Sequence, residues 1–267
     1  MLSAGEGYKP EHHLTGSFTM LVLLDFPAAL GLRSLSPFAY KAEALIALAG
    51  RDYAREEVTD FSLLPHGKVP VLKDGYLVIP DSSLIQRHLE RHHGLDIDAQ
   101  LTGVERAMAE AFRRMAEEHL RWSMVHARWI DPAGEAEMID AAFGGVPEAM
   151  RRDVFLGVRE QVRQALHMHG LGRHVPEEIY TFGRNDLDAI ATFLDDKPFF
   201  MGDRPTSVDA ILAGLLINML TSRIDTSLTR HAWAIPTFAD YALRFERTVF
   251  GPAAKIPDRL KRATEAA

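Results

Sequence analysis

Phe18 to Leu24, FTMLVLL, is an unbroken apolar run, the pattern of a strand buried on both faces. The period then changes. From Pro37 to Gly50 the apolar positions Phe38, Ala42, Leu45, Ile46 and Ala49 share one side of a helix, and Gly50 supplies its stop. Tyr53 to Thr59 reads as a second strand in spite of its charges. Val69 to Leu72 and Tyr76 to Ile79 flank Lys73-Asp74-Gly75, whose Asp-Gly pair signals a hairpin. Asp81 opens a helix that runs to His93 and closes at Gly94.

That order predicts a small mixed sheet covered by helices across residues 17–95, behind a polar tail at 1–16. Asp96 to Gly103, DIDAQLTG, breaks both periods and reads as a linker. From 104 to 255 the pattern is helical. Val104 to Ile130 holds it through Met108, Phe112, Met115, Leu120 and Val125, and further segments fall at Glu148–His169, Arg184–Asp195, Val208–Ser222 and Thr237–Thr248. No strand is expected after residue 103. The predicted fold class is an α/β N-terminal domain followed by an all-α C-terminal helical bundle.

Composition narrows the function. The 267 residues carry a formal net charge of −7, which argues against nucleic acid or an anionic membrane as the main partner. There is no cysteine, so disulfides, thiolate metal sites and protein-thiol nucleophiles are excluded. MLSAGEGYKPEHHLTGS lacks the basic start and apolar core of a secretory signal. The apolar runs fall short of the roughly 20 residues a membrane span needs. A cytoplasmic protein is expected.

Three segments carry candidate chemistry. Ser36 precedes Pro37, which favours extended geometry at Ser36 and a helix starting at Pro37. A hydroxyl and free N–H groups at a helix start favour an anion; the same serine also serves simply as a cap. In HGKVPVL, Val69-Pro70 enters a strand. A cis bond there would turn the Val69 backbone toward an extended peptide ligand, and an ordinary edge-strand proline fits equally. In IPDSSLIQ, Asp81 and Ser82 open a helix with Leu84, Ile85 and Leu89 as its apolar stripe. That makes a second anion site, or again a cap.

The order and spacing of Ser36, Val69-Pro70 and Asp81-Ser82 resemble the cytosolic glutathione transferases, whose N-terminal domain is thioredoxin-like. Phe200 to Ala210, FMGDRPTSVDA, resembles that family's signature before its central helix, a folding element in which Thr206 caps and Asp209 reaches back. SPFAYKAEALIALAG, GKVPVL followed by DSS, EEHLRW with the later RWID, and the run from Gly172 through Glu177 to Leu187 resemble the metaxin and failed-axon-connections branch. One departure is Ala39, where relatives often carry cysteine.

The resemblance implies glutathione as co-substrate and a homodimer; no metal is expected from the residues. It implies that Ser36, with Ser34 as fallback donor, faces the glutathione sulfur. Val69-Pro70 would bind its cysteinyl backbone, Asp81 and Ser82 its γ-glutamyl end, and Lys68 a carboxylate. A small electrophile would lie between the domains, with Arg121, Trp122, Arg128 and Trp129 as wall candidates or as plain packing. His88 and His92 have helical metal-pair spacing but no third ligand that the sequence places. A non-catalytic binding or scaffold protein of the same fold is the alternative.

Overall fold

The computed structural model describes residues 20–94 and 96–265. The tail at 1–16 and the start of the first apolar run, Phe18 and Thr19, lie outside the described residues. The first strand, β1, spans Leu21–Asp25 and is followed by helix α1, Pro37–Leu48. Strand β2, Tyr53–Glu57, runs parallel to β1 at one edge of a four-stranded sheet of order β2-β1-β3-β4. The edge position is why its charges are tolerated. Arg55 turns back to pair with Asp25 and Glu43, while Glu56 pairs with Lys73.

Strands β3, Val71–Asp74, and β4, Leu77–Pro80, form the expected antiparallel hairpin, with Gly75 at φ 60° in its turn. Helix α2, Ser82–His92, follows directly.

The remainder is mostly helical. Helices α3, Gly103–Met115, and α4, Arg121–Trp129, join through a π-turn at Ala116–Leu120. Then come α5, Glu135–Ala142, α6, Glu148–His169, and α7, Pro176–Leu194. Helices α8, Ser207–Thr221, α9, Ser227–Ala234, α10, Pro236–Phe250, and α11, Asp258–Glu265, complete it. The short helices α5, α9 and α11 escape the sequence pattern because each is only two turns long. Helix α7 starts earlier than expected, at Pro176, which suits a first helical position.

Helix α8 is buried along its whole length, so it is apolar all round rather than striped. It packs against α1 of the first domain. At their contact a Cβ on Gly214 would stand 2.9 Å from Tyr40 Cδ1 and 3.1 Å from the Pro37 carbonyl. Glycine is what lets α1 lie that close. The box at the start of α8 is built as the sequence reading expects: Thr206 is the N-cap residue and Asp209 reaches back to it, accepting the Thr206 hydroxyl and N–H at 2.6 and 2.8 Å. Asp209 also accepts from Phe200 N–H and Tyr241 O–H, both at 2.7 Å. Burial still holds its pKa above the ordinary value. The element is structural.

Candidate active site

The strand register brings the three candidate segments to one end of the sheet. Leu24, next to the end of β1, pairs with Val71, and Val71 pairs with Pro80. The residues just before β3, Val69-Pro70, and just after β4, Asp81-Ser82, therefore flank the same end of β1. The Asp81 N–H donates to the Pro70 carbonyl at 3.2 Å, tying the two directly. The Val69-Pro70 bond is cis. Neither the N–H nor the C=O of Val69 has a hydrogen-bond partner among the described residues.

Ser36 reaches this point through Ser34. Asp25, the last residue of β1, accepts from Ser34 Oγ at 2.9 Å, and Ser34 Oγ accepts from Ser36 N–H at 3.0 Å. Ser34 is fully buried and its proton is committed to Asp25. The Ser36 side chain is half-buried, and among the described residues its oxygen has one partner, accepting from Ala39 N–H at 3.3 Å as an N-cap. A hydroxyl that accepts from the backbone keeps its own proton to donate. Ser36 is therefore the serine with a donor to spare.

The loop that carries Ser36 is held from several sides. Arg33 donates to Glu246 at 2.7 Å and to Glu43 at 3.0 Å, and its guanidinium lies 3.5 Å from the centroid of the Phe250 ring. Arg128 of α4 donates to the Leu35 carbonyl at 2.8 Å and to Asn218 Oδ1 at 2.7 Å; Asn218 donates in turn to the Ser34 carbonyl at 3.2 Å. Arg128 is thus buried beneath the loop, not a wall of an open cleft. Burial lowers its pKa to about 10, leaving it cationic at neutral pH. Trp129 is half-buried and stacks on Phe155, with centroids 5.8 Å apart.

Asp81 has φ 71° and ψ 131°. A non-glycine residue there costs about 1–3 kcal/mol, and such residues concentrate at ligand clamps. The Asp81 carboxylate caps Ser83 N–H at 2.7 Å. Ser82 is buried, and its hydroxyl has no partner among the described residues. Behind it, Ser83 meets a charged cluster under the domain boundary. Lys41, fully buried, donates to Glu117 at 2.7 Å, and Arg113 donates to Glu117 at 2.6 Å and to Ser83 Oγ at 3.2 Å. Glu117 sits in the π-turn. Burial lowers the pKa of Lys41, against the pull of Glu117.

On α4, the Arg121 guanidinium lies 5.4 Å from the centroid of the Phe38 ring and 3.9 Å from that of Trp122. Its Nε donates to the Glu117 carbonyl at 2.9 Å, and its terminal nitrogens have no partner among the described residues. Lys68 is exposed in its loop. Sequence reasoning missed Asp25, Asn218, Lys41 and Glu117, because nothing local marks a buried polar residue whose partner is far along the chain.

With this geometry in view, the comparisons are direct. The family described as "Glutathione S-transferase N-terminal domain" matches residues 37–134, and "Glutathione S-transferase, C-terminal domain" matches 183–245. The isoprene-epoxide–glutathione S-transferase of Rhodococcus sp. (strain AD45) is 31% identical over 235 residues, covering 85% of this chain and 98% of that protein. Failed axon connections of Drosophila melanogaster is 30% identical over 206 residues, 74% of this chain; the match spans about half of that protein, 49%. The crystal structure of the glutathione transferase GSTFuA3 from Phanerochaete chrysosporium shares the fold, with a TM-score of 0.56 at 21% identity over 84% of this chain and 98% of that one. The chain belongs to the glutathione S-transferase superfamily, in its metaxin and failed-axon-connections-like branch.

Proposed function

We propose that the protein is a glutathione transferase in which the Ser36 hydroxyl donates to the glutathione thiolate, which then attacks a small electrophile. The observation that carries this reading is the half-buried Ser36 hydroxyl, free to donate and fixed at the end of β1 by the chain Ser36–Ser34–Asp25. The Val69 backbone, unpartnered among the described residues, would pair with the cysteinyl unit. Ser82, whose hydroxyl has no partner among those residues, and Asp81 would take the γ-glutamyl end, and Lys68 a carboxylate.

A free thiol with a pKa of about 8.5 is only a few per cent ionised at pH 7. Lowering it by about two units corresponds to about 2.7 kcal/mol. A hydroxyl donor and the start of α1 together account for that amount. Serine forms no covalent bond. The thiolate attacks the electrophilic carbon: the C–S bond forms as the bond to the leaving group breaks and that group takes the electron pair. In an epoxide the ring C–O bond breaks instead, and the oxygen stays on the neighbouring carbon and takes a proton from water.

Arg121, Trp122 and Phe38 form the wall on which the electrophile would rest. The Rhodococcus relative is named for an epoxide, and a small epoxide is the first electrophile to try. The reading includes a cytoplasmic homodimer. Edge strand β4 exposes Leu77 and Val78, α2 exposes Leu84, and α3 exposes Val104 and Met108, an apolar set that a second copy would cover. Light scattering tests it: a monomer at micromolar concentration contradicts the dimer and leaves the thiolate chemistry standing.

Calorimetry with glutathione, followed by the ultraviolet absorbance of bound thiolate, separates the readings. Binding with thiolate absorbance, lost in Ser36→Ala, supports the transferase. Absence of binding at millimolar glutathione favours a scaffold of the same fold.

A further inference from the structure

Away from the cleft, three polar side chains meet at the far end of the β3–β4 hairpin. His88 Nε2 lies 2.8 Å from Asp74 Oδ2, and His93 Nε2 lies 3.0 Å from the same oxygen. The donor atoms of all three residues fall within 4.8 Å of one another. The two histidine side chains are 7% and 5% exposed and the aspartate 17%, so the carboxylate is the most exposed of the three.

The local backbone explains how they meet. Residues five apart on an α-helix point about 140° away from each other. Helix α2 ends at His92, however, and His93 leaves it at φ −113° and ψ 10°, just ahead of Gly94 at φ 64°. That break swings His93 onto the side of the helix that His88 occupies. The hairpin turn supplies Asp74 from the other direction. His92, the i+4 partner that sequence spacing favours, instead lays its exposed ring 4.6 Å from that of His88.

We infer that Asp74, His88 and His93 form a binding site for a borderline divalent cation, zinc above all, with water in the fourth position. Two neutral imidazole nitrogens and one carboxylate oxygen are a zinc donor set; magnesium and calcium prefer oxygen alone. With metal–ligand bonds of about 2.0–2.1 Å, donor atoms on a tetrahedral ion stand about 3.3 Å apart. The observed 2.8 and 3.0 Å need only a small opening. The two imidazole rings sit 5.5 Å apart, centroid to centroid, at 66°, so neither blocks an ion between their Nε2 atoms. His93 Nδ1 is buried without a partner among the described residues, leaving Nε2 as the nitrogen presented to a ligand. The ion would clamp the hairpin to the end of α2, and no part of the thiolate chemistry passes through it.

The test uses the full chain after removal of metal with a chelator. Calorimetric titration with zinc should show one tight equivalent per chain, and cobalt(II) should give the visible absorption of a tetrahedral site. Asp74→Asn and His93→Gln should each weaken that equivalent more than about 100-fold, while His92→Gln leaves it intact. In the unaltered protein the melting midpoint should rise with zinc and not with magnesium, a readout that stands even where a variant folds poorly. Zinc binding unchanged in Asp74→Asn and His93→Gln, or lost in His92→Gln, would overturn the assignment. So would the absence of both a tight equivalent and a zinc-dependent rise in midpoint.

Discussion

Arg128, on a helix of the C-terminal domain, donates a 2.8 Å hydrogen bond to the carbonyl of Leu35, the residue immediately before Ser36. The second domain thus grips the backbone of the first one residue from the hydroxyl proposed to donate to the thiolate. Arg128→Met should destabilise the fold by about 1–3 kcal/mol, because a charge-assisted bond is lost and the Leu35 carbonyl is left short of a donor. Hydrogen exchange should quicken at residues 34–36 before it does so in the sheet. Lower stability with unchanged exchange in that loop would show that Arg128 supports the helical domain alone.

Lys41, Arg113 and Glu117 predict an asymmetry. Glu117→Leu strands the fully buried Lys41, while Arg113 keeps its ion pair with Glu110, and should cost about 3–5 kcal/mol. Lys41→Met leaves Glu117 its Arg113 partner at 2.6 Å and should cost clearly less. Chemical denaturation of both variants checks this. Equal losses would mean that Arg113 does not compensate Glu117 by itself.

Asp25 is raised from 3.8 to about 6, chiefly by burial and against the pull of Arg55. A folded-state pKa above the unfolded one means that folding favours the protonated form. The contribution of Asp25 is therefore greatest below pH 4 and declines as pH rises toward 6. The displacement corresponds to about 3 kcal/mol. Unfolding free energies of the protein and of Asp25→Asn, measured from pH 4 to 7, should shift relative to each other by about that amount, with the unaltered protein losing ground as pH rises. A constant difference across the range would contradict the burial of an ionisable carboxylate.

Gly214 gives a steric prediction. A Cβ there would press on the Tyr40 ring at 2.9 Å and the Pro37 carbonyl at 3.1 Å, forcing α1 away from α8. Gly214→Ala should lower stability by about 1–3 kcal/mol, although alanine is the better helix former. A stabilised variant, seen as a higher melting midpoint, would show that the two helices have slack between them.

These relationships also show how far the sequence is legible. Strand and helix periods placed β1, α1, the hairpin and α2, because each is decided by neighbours two to four residues away. The three candidate segments could be named, since Ser36-Pro37, Val69-Pro70 and Asp81-Ser82 each carry a local backbone signature. Their meeting at one end of β1 depends on the pairings Leu24 with Val71 and Val71 with Pro80, which no local pattern encodes. Ser34 and Ser36 look alike in sequence; burial and Asp25 separate them. Arg128 reads as a wall candidate or as plain packing until Asn218, 90 positions later, closes over it. His93 was hidden because the helical period points it away from His88, and only the break at the end of α2 reverses that.

The central claim is that Ser36 holds glutathione as its thiolate, and a pH titration of the thiolate absorbance near 240 nm in the protein–glutathione complex tests it most directly. A bound-thiol pKa about two units below the free value of about 8.5, returning most of the way in Ser36→Ala while glutathione still binds, is the predicted result. An unshifted bound thiol, or a shift that persists without the Ser36 hydroxyl, would contradict it.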